Sequence, residues 1–153
     1  MSKTRKSNTT TWIIVIGAAL ALGYWWLKNQ LQYIQIGSAS IPFQKLDGTN
    51  IQLGIKLPIT NASALAANVT GFAGVLLTPS GSVLSTVFMT RPVVVNRYQN
   101  AELDFTSTIR GSDLAVELFN ILKTGKKPDF KGYRIKGQLR IYGIPLPIDE
   151  PLL

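Results

Sequence analysis

The sequence predicts an all-β antiparallel sandwich of the immunoglobulin or fibronectin III kind, with one short helix, preceded by a single transmembrane α-helix. Three observations predict it. An uncharged run, Thr11–Leu27, stands near the N-terminus. After it the hydrophobic period becomes two, and turn residues recur between short alternating segments. The organisation read from these is a basic stub (1–10), a membrane helix (11–31) and a β domain (32–153).

The run Thr11–Leu27 (TWIIVIGAALALGYWWL) has 17 residues without a charge. At about 1.5 Å per residue it spans roughly 25 Å, near the short end of what crosses a bilayer core, and flanking polar residues extend it to 31. Its apolar body is Ile13, Ile14, Val15, Ile16, Leu20, Leu22 and Leu27. Trp12 marks one end and Tyr24, Trp25 and Trp26 the other, as amphipathic rings do at lipid–water boundaries. It carries no polar stripe, so neither a half-buried core helix nor an interfacial helix fits. A cleavable signal peptide is disfavoured because the apolar run continues past Ala19-Leu20-Ala21. The expectation is an uncleaved signal-anchor. Lys3, Arg5 and Lys6 precede it, so the positive-inside rule puts the N-terminus inside and the β domain outside, in a cell envelope or the internal membrane of a virion. These three cations set topology, or contact anionic lipid or nucleic acid. The small residues of Gly17–Ala21 permit close helix packing without a GxxxG pair.

The strands follow in order. Ile51, Leu53, Ile55, Leu57 and Ile59 alternate with Gln52, Gly54, Lys56 and Pro58. Leu103, Phe105 and Ile109 repeat the pattern, and so do Tyr133, Ile135, Leu139 and Ile141. Further strands are expected over Tyr33–Ile36, Ile41–Leu46, Asn68–Leu77, Val83–Phe88 and Val93–Val95, seven or eight in all. Asp47-Gly48 and Pro79-Ser80-Gly81-Ser82 read as turns. Ser112 is expected to cap a helix over Asp113–Lys123, which Gly125 ends.

The segment Leu57-Pro58-Ile59-Thr60-Asn61-Ala62-Ser63, the later strand Ala101–Ile109, the helix at 113–123, and Tyr133-Arg134-Ile135-Lys136-Gly137 with Ile144-Pro145 resemble, in that order, late-embryogenesis-abundant type 2 domains. The resemblance covers about 34–147 and departs from the pattern at Ala62, where Pro is common. It implies a fibronectin-type sandwich behind an N-terminal anchor and transfers no catalytic residue.

Composition bounds the chemistry. The 153 residues contain no Cys and no His. That removes disulfides, thiolate zinc sites, Cys nucleophiles, the usual base near neutral pH and the commonest metal ligand. No enzyme activity, cofactor or metal is expected. Glu102 and Asp104 share a polar strand face but lack a cleft, so surface charge explains them better than glycosidase chemistry. The triplets at Asn8, Asn61 and Asn68 match N-glycosylation acceptors.

The net charge of +8 is concentrated in two places, the N-terminal stub and residues 123–140. The second place holds Lys123, Lys126, Lys127, Lys131, Arg134, Lys136 and Arg140 against Asp129 alone. This run is the candidate basic binding face, for phosphate groups, anionic headgroups or an acidic protein; the plainer reading is a solvated face guarding an edge strand. The functional expectation is a non-enzymatic, membrane-anchored adaptor whose partners are a lipid bilayer and a capsid or envelope protein. Two alternatives accompany it: a minor structural protein linking the internal bilayer of a membrane-containing virus or phage to its capsid, and a lipid-binding envelope protein.

Overall fold

The computed structural model describes the backbone of residues 9–114, 116–126 and 128–153, and their side chains except those of 9–12, 43, 117, 118 and 122. A long helix, α1 (Thr9–Leu31), leads into β1 (Ile34–Ile36), β2 (Ser40–Asp47), β3 (Asn50–Asn61), β4 (Ala67–Leu77), β5 (Val83–Met89), β6 (Val93–Val95) and β7 (Gln99–Arg110). A single 3₁₀ turn (Gly111–Asp113) and α2 (Val116–Lys123) precede β8 (Arg134–Ile141) and β9 (Ile144–Pro151).

The nine strands among the described residues belong to one sheet, in the order β1-β3-β7-β5-β4-β8-β9, with β2 also on β3 and β6 also on β4. The named ladders are antiparallel. The far end of the sheet then returns to its beginning. Leu152 bridges Ala39, and the Leu153 N–H donates to the Ala39 carbonyl at 2.9 Å. The sheet is therefore nearly closed and barrel-like. This corrects the expected two-sheet sandwich. No break separates two sheets, because β4 pairs β5 on one edge and β8 on the other. Irregularities at Ser40/Phe43, Val69/Gly71 and Leu76/Leu77 supply the bending that closure needs.

The core is the inner face of this sheet. Ile51, Leu53, Ile55, Leu57 and Ile59 of β3 are all buried, as are Leu103, Phe105 and Ile109 of β7. Each contributes about 1.5–3 kcal/mol by leaving water. Ser107 interrupts the apolar register, and its hydroxyl donates to the Thr86 carbonyl at 2.9 Å, so the buried group is satisfied.

The membrane helix is the second correction. Among the described residues no helix is long and apolar enough to cross a membrane. Lys28, Asn29 and Gln30 follow Leu27 within the same helix. The last turn is instead tied to the barrel, where Leu31 is buried and Leu27 packs against the core. The transmembrane helix, the single-pass placement with the N-terminus inside, and the anchor role of Trp12 through Leu27 fall together.

Two local expectations also change. Ser112 does not cap a helix; Gly111–Asp113 form the 3₁₀ turn, and the Gly111 N–H donates to the Thr49 carbonyl at 2.7 Å. α2 accordingly begins later, at Val116. A ninth strand, β9, pairs with β8 where the sequence reading had ended its strands.

Candidate binding surfaces

β8 alternates strictly. Ile135, Leu139 and Ile141 point inward, and Arg134, Lys136 and Arg140 are exposed on the outer face with Gln138 between them. Opposite this row stand Gly71, Ala73 and Val75 of β4 on one side, and Pro145, Pro147 and Asp149 of β9 on the other. Arg134 is committed: its Nε donates to Asp149 Oδ1 at 2.8 Å, and Nη2 donates to the Asp149 carbonyl at 3.2 Å. Lys136 and Arg140 have no acidic partner among the described residues. Four residues apart on one strand, they stand about 13 Å from each other.

The rest of the basic run does not join this row. Lys123 lies at the end of α2 with its Nζ 4.6 Å from the centre of the Phe119 ring, a cation–π contact. Lys126 and Lys131 sit in the α2–β8 connection, where the Lys131 N–H donates to Asp129 Oδ1. Lys127, and Lys3, Arg5 and Lys6 of the stub, lie outside the described residues, as does the side chain of Trp12. Spacing along the chain had suggested seven cations on one face; the alternation of β8 brings together three.

Helix α1 presents the most unusual surface. Ile13, Ile14, Val15, Ile16, Leu20, Leu22, Tyr24, Trp25 and Trp26 are all exposed, and they point in every direction around the axis. A Cβ added at Gly17 or Gly23 would meet nothing within 4 Å. A helix apolar on all sides normally lies enclosed.

The end of the barrel from which α1 emerges carries features that the sequence reading passed over. Tyr33 lies between α1 and β1, Tyr98 in the β6–β7 turn and Tyr142 in the β8–β9 turn, and all three are exposed. Pairing places them together: the Ala62 N–H donates to the Tyr33 carbonyl, the Tyr142 N–H to the Asn68 carbonyl, and Asn68 pairs with Val94 just before the Tyr98 turn. Two-residue spacing around Gly143 was the one signal in the sequence that could have marked Tyr142.

At the same end, Asn61 is fully buried. Its Nδ2 lies 2.7, 2.9 and 3.2 Å from the carbonyl oxygens of Leu65, Val95 and Asn96, and its Oδ1 accepts from the N–H of Ser63 at 3.0 Å. The Asn61-Ala62-Ser63 motif is thus a knot that ties three segments, and the folded Asn61 amide is not open to glycosylation. Asn68 is exposed.

The carboxylates Glu102 and Asp104 each face a cation. Glu102 Oε2 accepts from Lys56 Nζ at 2.7 Å, which holds the Lys56 ammonium above its usual pKa, and Asp104 stands 3.7 Å from Arg91. Among the described residues no group of three or more acids forms a metal cluster.

No family model and no curated protein matches the chain. A solved crystal structure of a protein from Archaeoglobus fulgidus is similar in fold, with a TM-score of 0.53 at 14% identity, covering 76% of this chain and 92% of that one. Likeness at that identity concerns the fold alone. The resemblance to late-embryogenesis-abundant type 2 domains therefore rests on its motif residues only.

Proposed function

We propose that this protein is a non-enzymatic binding adaptor, which joins an assembly through α1 and presents its β barrel to a further partner. The carrying observation is the exposure of α1 on every side. Nine large apolar side chains stand in water there, and covering them would contribute on the order of 10 kcal/mol or more. The cover we propose is protein: apolar helices of other chains, admitted closely by Gly17, Ala18, Ala19 and Ala21. The absence of His and Cys, and the pairing of Glu102 and Asp104 with cations, support a binding role over catalysis. The basic row of β8 supplies a second contact, for an acidic group.

A cavity for an acyl chain gains no support. The interior space at Gly74 is filled by the Phe72 ring, and the hollow beside Gly54 is an open trough.

The test compares the full chain with an Ile14→Ser/Leu20→Ser/Leu22→Ser variant by sedimentation velocity and chemical crosslinking. The expected result is that the parent sediments in a larger, crosslinkable protein species, and the variant does not while keeping its β-sheet circular dichroism. A parent that stays monomeric with α1 exposed, or one that floats with lipid vesicles without protein partners, contradicts the proposal.

A further inference from the structure

Two turns at the α1 end of the barrel put a tyrosine where the backbone favours asparagine or glycine. In the β8–β9 hairpin, Tyr142 and Gly143 stand between the paired Ile141 and Ile144 with φ of 54° and 75°. This is the two-residue turn whose central residues both need positive φ, for which Asn-Gly is the favoured sequence. In the β6–β7 turn the Gln99 N–H donates to the Asn96 carbonyl at 3.2 Å, and Tyr98, third of the four residues, has φ 57°. That position also normally takes Gly or Asn. A side chain with a Cβ is strained at both places.

Neither ring stacking nor a side-chain hydrogen bond among the described residues offsets the strain. Tyr98 is 69% exposed and Tyr142 39%. Among the described residues neither ring stacks on another aromatic and neither hydroxyl has a hydrogen-bond partner. The two strained tyrosines stand on the turns that follow β6 and β8, the two neighbours of β4, about two strand spacings apart, and Tyr98 is retained there with most of its ring in solvent.

The charge around them is one-sided. The segments forming this end, 28–36, 59–70, 92–101 and 139–146, contain Lys28, Arg97 and Arg140 and no acidic residue, and Glu102 just below them is paired with Lys56. None of the three cations is in an ion pair among the described residues. Tyrosine and arginine together are the side chains enriched at the energetic centres of protein interfaces.

We propose that this end is a docking surface for an acidic protein segment, with Tyr98 and Tyr142 as aromatic anchors and Lys28, Arg97 and Arg140 receiving its carboxylates. The proposal rests on the adaptor reading and names the chemistry of one partner. Rings held apart on short, rigid turns suit separate pockets on a polypeptide; a lipid surface offers no pockets that would reward such placement.

The experiment uses the full chain and three probes: a labelled peptide of alternating Glu and Leu, its Lys/Leu counterpart, and phosphatidylserine vesicles. Anisotropy reads peptide binding, and thermal melting reads stability. The Glu peptide should bind at least about tenfold tighter than the Lys peptide. The Tyr98→Asn/Tyr142→Asn variant should melt higher, because strain is relieved, yet lose about tenfold or more in affinity. Arg140→Glu should weaken binding and flatten its salt dependence. Equal binding of both peptides overturns the proposal. So does undiminished affinity in the asparagine variant, or a fall in its melting temperature, since the rings would then be structural. Vesicle binding without peptide binding overturns it in favour of an anionic lipid. Association through α1 is read separately, so loss of peptide binding alone leaves the adaptor reading standing.

Discussion

Gly74 and Gly137 face each other across the β4–β8 ladder, and the ring of Phe72 lies over both. The glycines make room, on the inner face, for an aromatic ring that also meets Phe105 edge-on with centroids 4.9 Å apart. A Cβ on Gly137 would strike the Ala73 carbonyl, the Gly74 Cα and the Phe72 ring, two of them backbone atoms that cannot swing away. Gly137→Ala should cost about 1–3 kcal/mol by overpacking, measured by denaturant unfolding. An unchanged midpoint would show that the strands can separate locally.

Asn61 holds together the start of the β3–β4 loop and the end of β6 through its amide. Asn61→Ala would leave buried carbonyls without donors, at a cost of about 1–3 kcal/mol for the group that cannot reach water. Asn61→Asp should be at least as damaging, because a carboxylate cannot donate to Leu65, Val95 or Asn96. Urea unfolding of the two variants checks the order; a harmless Asp would contradict the assigned roles of Nδ2 and Oδ1.

Alkali should weaken the fold through two groups. The Glu102 carboxylate, first by its hydrogen bond and then by its charge, raises the pKa of Lys56 above 10.5, and burial raises that of Tyr133 above 10.0. For both, the protonated form is favoured on folding. Their stabilisation is complete below the unfolded values and is lost as pH rises above about 10. Melting temperatures across pH 8 to 11 should therefore fall from near pH 10 upward, and less steeply in Tyr133→Phe. Identical slopes in parent and variant would remove Tyr133 from the account.

The outer edge of β9 is guarded by proline. The β8–β9 register directs the N–H groups of Ile144, Leu146 and Ile148 to β8, and those of positions 145, 147, 149 and 151 outward. Three of these four are proline and have no N–H to offer. Pro145→Val/Pro147→Val restores two outward donors on a β-branched edge and should raise aggregation, seen as light scattering at constant melting temperature. No change in scattering would mean that the edge is covered in another way.

Alternation of period two was legible for most strands, because one face of each is buried. Closure was not. It depends on β4 pairing with β8 and on Leu152 reaching Ala39, contacts between segments far apart in the chain that no local pattern encodes. β9 was missed for the reason that makes it a safe edge: Pro145, Pro147 and Pro151 depress the strand signal. The Ser112 cap failed because Gly111 is held to Thr49 and packed against Phe119, which forces a tighter turn at that point. Of the candidate surface, the β8 row was readable from alternation, whereas Tyr98 and Tyr142 owe their character to positive φ angles that residue type alone does not announce.

The chain provides its own reporter of what surrounds α1, since all three tryptophans, Trp12, Trp25 and Trp26, lie in that helix. Within this chain tryptophan therefore reports on α1 alone, and labelling its tryptophans selectively, as 5-fluorotryptophan, separates them from any in partner chains of the native assembly. Enclosed by protein, α1 should give blue-shifted emission, shielded from acrylamide and unaffected by brominated lipid. Emission characteristic of water with free quenching by acrylamide, or strong quenching by brominated lipid, would contradict that enclosure.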